Sequence, residues 1–141
     1  MQNMNGKTAL GLDTNIGVLI CYFGNLACGL PLGLIYSILV IVQDKTNKVA
    51  RFHAFQSLFL GVLGIILGAI LGIGVFITMM IDVAIAYTIG IPFIFTGLLC
   101  LIATGISLAL LYFVVMAAIK GFGGEIYKIP VIGNFADTYS N

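Results

Sequence analysis

Few side chains in this sequence could do chemistry, and their spacing argues against most of it. His53 is the single histidine, so a paired-histidine metal site cannot form, and Cys21, Cys28 and Cys100 lack any C-x-x-C spacing. All three cysteines fall inside apolar stretches, where a free thiol behaves as a small buried hydrophobe. Asp13, Asp44, Asp82, Glu125 and Asp137 are scattered, so the paired intramembrane acids of a proton relay are missing. There is no G-x-S-x-G turn, and Gly121-Phe122-Gly123-Gly124 lacks the lysine and following helix that phosphate binding needs. An enzyme is therefore not expected, nor is a metal or a cofactor. His53, next to Arg51 at the start of an apolar run, reads as an anchor or hydrogen-bonding residue rather than a proton carrier.

The elements that carry these residues are set by hydrophobicity. Of 141 residues, 61% are apolar and 8% charged, far below the ~25% charge of a soluble domain. So few charges cannot coat a water-soluble surface, and the bilayer becomes the main partner. A net charge of +1 gives no footprint for nucleic acid. The expected fold is all-α, a polytopic transmembrane bundle with a polar N-terminal segment (1–15), a helical membrane domain (16–120) and an interfacial C-terminal tail (121–141). The N-terminus reads as uncleaved, since its first apolar run is too long for a signal peptide.

Three long spans are expected. Residues 16–42 carry no charge, and Asp13, Thr14 and Asn15 are available to cap the helix that this run would form. Pro31 interrupts the run after Gly29 and Leu30, which leaves two readings: one long kinked span, or two shorter helices that raise the count to four. The only charge cluster, Asp44, Lys45, Lys48 and Arg51, reads as an exposed loop. A second span is expected over 52–81, ending before Asp82, with 83–90 as an uncharged connection. The third is expected from Pro92 to Ile119, stopped by Lys120 and Gly121. Five or six of the six Lys and Arg residues then share one side, so the 43–52 loop and the C-terminus are expected in the cytoplasm, with the side of the N-terminus open.

Within the membrane, His53, Ser57, Gly61, Gly64, Gly68 and Gly72 recur at steps of three and four, on one helix face. Small residues there let a second backbone approach closely, so Gly61, Gly64, Gly68 and Gly72 are expected to form a helix-packing seam. A weaker counterpart is Thr96, Cys100, Ala103 and Ser107. Asn25 is the costliest neutral group in hydrocarbon, and is expected to bond another helix or the backbone freed by Pro31, with the lining of a polar path as the alternative.

The string Arg51-Phe52-His53-Ala54-Phe55-Gln56-Ser57 resembles the R-F-x-A-x-Q-[SA] signature of the Tic-twenty-like family of small membrane proteins. Gly11-Leu12-Asp13-Thr14-Asn15 and the ending 124–133 are similar to the same family, and His53 stands where its plastid members carry asparagine. The resemblance is to the uncharacterised bacterial branch, related to the plastid inner-envelope protein-import component. It implies motif positions Arg51, Phe52, His53, Ala54, Gln56, Ser57 and Pro130, and no catalytic residue. Physically these suit an interfacial anchor: Arg51 on lipid phosphate, Phe52 and Phe55 at the acyl boundary, Gln56 on a neighbouring helix. The expected role is a non-enzymatic protein of the bacterial plasma membrane that assembles through its glycine face with itself or a larger membrane complex. The resemblance also implies an alternative, a channel or protein-translocation component.

Overall fold

The computed structural model describes residues 6–8, 10–24, 32–90 and 93–140. Among these the regular structure is helical: α1 (Thr14–Phe23), α2 (Leu32–Gln43), α3 (Lys48–Ile89), α4 (Ile94–Phe122) and α5 (Ile132–Ser140). A single antiparallel bridge joins Lys7 to Asp13 ahead of α1. Two helices, α3 and α4, are long and apolar enough to cross a membrane. At ~1.5 Å per residue, the 42 residues of α3 run ~63 Å and the 29 of α4 ~44 Å. The helices divide between two compact units, residues 1–62 with 112–141, and residues 63–111.

In the first unit, α1 and α2 pack side by side. Asp13 occupies the N-cap of α1 without a side-chain cap bond. Thr14 Oγ1 instead donates to the Gly6 carbonyl at 2.6 Å. The 44–47 turn is tightly built rather than loose. Asp44 Oδ1 accepts from the amides of Thr46 and Asn47, and Asn47 Oδ1 accepts from Ala50, capping α3. Asp44 is accordingly buried, where the charge cluster suggested an exposed loop. The break expected around Pro31, together with Asn25 and Cys28, lies outside the described residues.

The far end of α3 corrects the expected boundary. The helix does not stop before Asp82 but continues to Ile89, because nothing from Val83 to Ile89 breaks a helix. Gly90, at φ 76°, is the first residue free to leave it. In the second unit Asp82 caps α4, its carboxylate accepting from Phe95 N at 3.2 Å and Thr96 N at 2.7 Å. Thr96 also bonds Thr78 across the two helices at 3.3 Å. The N-terminal turn of α4 therefore gets its acceptor and its compensating negative charge from another helix. Replacing Asp82 with alanine is expected to speed hydrogen exchange at the Phe95 and Thr96 amides roughly tenfold, with the α3 amides of the same unit unchanged. Equal exchange in both proteins would remove the cap from the account.

The other end of α4 differs as well. Gly121 does not stop the helix, which runs to Phe122. Gly124 N bonds the Gly121 carbonyl and Glu125 N the Lys120 carbonyl, with Gly124 at φ 85°. That pair of bonds around a left-handed glycine closes the helix. Beyond it the tail does not trail away: α5 docks on the first part of α3, with Phe135 and Tyr139 lying 6.1–6.3 Å from the Phe59 ring.

The second unit turns apolar side chains outward along both helices, among them Ile65, Ile70, Ile73, Phe76, Leu98 and Leu101. A soluble monomer rarely exposes so continuous an apolar surface, and hydrocarbon satisfies it without cost.

Candidate functional site

The first three turns of α3 carry three buried polar side chains of the first unit, His53, Gln56 and Ser57. A helix places residues three and four apart on one face, and here Phe52, His53, Gln56 and Ser57 are all buried. They face α1 on one side and the chain after α4 on the other.

Gln56 is the hub. Its Nε2 donates to Tyr22 Oη at 2.9 Å and to the Tyr127 carbonyl at 3.0 Å, while Oε1 accepts from Ile129 N at 3.2 Å. The amide cannot be turned over, because a carbonyl faces its nitrogen and an N–H faces its oxygen. One side chain thus pairs with Tyr127 and Ile129 as a neighbouring strand would, and gives that stretch the partners an unpaired backbone lacks. Tyr22 Oη lies 3.1 Å from His53 Nδ1. Since its oxygen already accepts from Gln56, donation of the phenol O–H to Nδ1 leaves the fewest buried groups unpaired and puts the imidazole proton on Nε2.

The imidazole is held on several sides. Phe52 and Tyr22 meet it edge-on, at centroid distances of 5.3 and 5.9 Å. Its Nε2 is buried with no hydrogen-bond partner among the described residues, lying beside Gly121 and the Glu125 main chain. A methyl group added at Gly121 would sit 2.5 Å from Val18 Cγ1, 2.8 Å from His53 Cε1 and 3.0 Å from His53 Nε2. Gly121 is there because α4 presses its backbone onto the ring. Ser57 completes the centre, its hydroxyl donating to the Cys21 carbonyl of α1. These bonds run between separate stretches of chain, so the arrangement locks α1, α3 and the 127–129 segment together.

The sequence-derived residues fall into three groups. His53, Gln56 and Ser57 come together in this centre with Phe52, which is 1% exposed and so does not reach the acyl boundary expected of an anchor, and Ala54 is buried beside them in sequence. Arg51 stays half-exposed at the edge, donating to the Asp44 carbonyl at 3.1 Å and lying 6.0 Å from the Phe55 ring centroid. Pro130 is exposed just past Ile129. The glycines separate: an added methyl at Gly61 would collide with Leu34 of α2, whereas at Gly64, Gly68 and Gly72 it would meet nothing within 4 Å among the described residues. Of the α4 counterpart, Thr96 meets α3, while Cys100 and Ser107 are exposed. Reading the sequence missed Tyr22, Gly121 and the 127–129 backbone. A phenol inside an apolar run was the available signal for Tyr22, since a buried Tyr hydroxyl needs a partner.

Two curated proteins of Methanocaldococcus jannaschii are similar along almost the whole chain. UPF0132 membrane protein MJ1443 is 33% identical over 135 residues, covering 96% of each sequence. UPF0132 membrane protein MJ1527 is 30% identical over 135 residues, covering 93% of this chain and 73% of its own. No family model and no solved structure matches.

Proposed function

We propose that this chain, which belongs to the UPF0132 family of membrane proteins, is a non-enzymatic assembly element of a prokaryotic plasma membrane. It works without a cofactor, keeps the 43–52 loop and the C-terminus in the cytoplasm, and associates through one glycine face of α3 with a second copy or a larger membrane complex. The observation that carries this reading is the open space over Gly64, Gly68 and Gly72, where an added methyl would meet nothing within 4 Å among the described residues. Backbone exposed in this way on a lipid-facing helix gains contacts when another helix closes on it. The distribution of Lys45, Lys48, Arg51, Lys120 and Lys128 supports the orientation.

The test is assembly itself. In mild detergent and in native membranes, the protein is expected to crosslink into a discrete complex. The Gly64→Leu, Gly68→Leu double variant is expected to lose it, while Ile65→Leu, beside the face, keeps it. A double variant that assembles as well as the parent would remove this reading.

A further inference from the structure

We propose that α1 and α2 are the two legs of a re-entrant hairpin, in which α1 enters the membrane, α2 returns to the same face, and neither crosses. Four observations carry this.

First, α1 and α2 are antiparallel. Gly24 at the end of α1 lies against Gly33 at the start of α2, where an added methyl would sit 2.8 Å from Gly33 N. The Cys21 thiol, further back in α1, faces the Ser37 hydroxyl, further along α2, and Gly17 lies beside the hydroxyl of the long Tyr36 side chain. Second, the two outer ends meet. Asn47 Nδ2, in the turn after α2, donates to Thr14 Oγ1, the first residue of α1, at 2.6 Å. The entry to α1 and the exit from α2 are therefore at one level.

Third, the legs are short. Ten and twelve residues give ~15 and ~18 Å, about half of the ~30 Å hydrocarbon core. Even if the whole uncharged run 16–42 is shared between two legs, each has about 13 residues and reaches ~20 Å. Fourth, the hairpin has one lipid-facing side and one protein-facing side. Ile16, Ile35, Ile38 and Val42 are exposed, while Cys21, Tyr22 and Ser37 are buried, with Cys21 and Tyr22 bonded to α3 through Ser57 and Gln56. A segment that turns back inside a membrane needs such protein partners for its polar groups.

The consequence is a side for the N-terminus. Lys7 joins Lys45, Lys48, Arg51, Lys120 and Lys128, so all six basic residues lie on one face. This extends the orientation proposed above, but it concerns which segments share a side, whichever side that is.

Single cysteines test it, on a background with Cys21, Cys28 and Cys100 replaced by alanine. Lys7→Cys, Lys45→Cys, Leu32→Cys and Tyr87→Cys are labelled with a membrane-impermeant maleimide in sealed right-side-out and inside-out vesicles. Lys7→Cys and Lys45→Cys are expected to react from one face and Tyr87→Cys from the other, with Leu32→Cys protected on the Tyr87 side. Labelling of positions 7 and 45 from opposite faces would mean a single crossing. Labelling of position 32 from the Tyr87 face would mean two full spans. Either result overturns the hairpin and leaves the glycine-face assembly untouched.

Discussion

Replacing Gln56 with leucine is expected to release the 127–129 segment from the helices and to cost on the order of 3 kcal/mol of stability. Leucine fills a similar volume, so the loss is in hydrogen bonding. Tyr127 O, Ile129 N and Tyr22 Oη each lose a partner. Buried groups left unpaired cost about 1–3 kcal/mol apiece, and some of this is recovered where water reaches the freed segment. Gln56→Glu keeps an acceptor for Ile129 N but sets a carboxylate against the Tyr127 carbonyl, so it is expected to be no better. Hydrogen exchange in detergent micelles reads the effect directly: the Ile129 amide loses protection while the amides of α4 keep theirs. An Ile129 amide equally protected in parent and Gln56→Leu would show that the segment is held by something else.

Gly121→Ala is the second large effect, at about 2 kcal/mol, the usual scale for overfilling a packed site. The added methyl meets Val18 at 2.5 Å and the His53 ring at 2.8 Å. The imidazole cannot swing away without breaking its contact to Tyr22 Oη. Val18→Ala is expected to recover part of the loss in the double variant, because it clears the nearer clash and leaves the ring contact. Gly123→Ala is the control: two residues on, its added methyl stays 3.4 Å or more from any neighbour, and no loss is expected. Thermal unfolding in one detergent compares the set. A Gly121→Ala protein as stable as Gly123→Ala would mean that α4 does not press on the ring as described.

These two positions show what can be read from sequence and what cannot. The membrane class follows from composition, because a chain with 8% charge cannot be wetted over its surface. Gln56 and Ser57 stand out as polar residues entering an apolar run. Their partners cannot be named from sequence, since Tyr127 lies 71 positions further along and contributes a carbonyl that every residue has. Gly121 is legible as a helix stop because glycine after lysine usually is one. Only the packing of His53 and Val18 reveals its other role, while the stop itself falls at Gly124, where φ is positive. Asp82 misleads in the same way: a charge at the end of an apolar run marks an interface unless another helix start is close enough to use it. The glycine stripe is periodic in sequence but splits in space, since Leu34 covers Gly61 and nothing among the described residues covers the next three.

The Gln56 amide also imposes an order on biogenesis. Its helix leaves the ribosome long before the strand-like stretch that satisfies it, with the Tyr127 carbonyl and Ile129 amide coming 71 and 73 residues later. Until translation is nearly finished, Gln56 has Tyr22 of α1 to bond but neither Tyr127 nor Ile129, so part of its amide must be sheltered by water or the insertion machinery. A transcript truncated before codon 127 therefore yields a polypeptide that holds α1 to α4 but lacks the partners of two of the three Gln56 bonds.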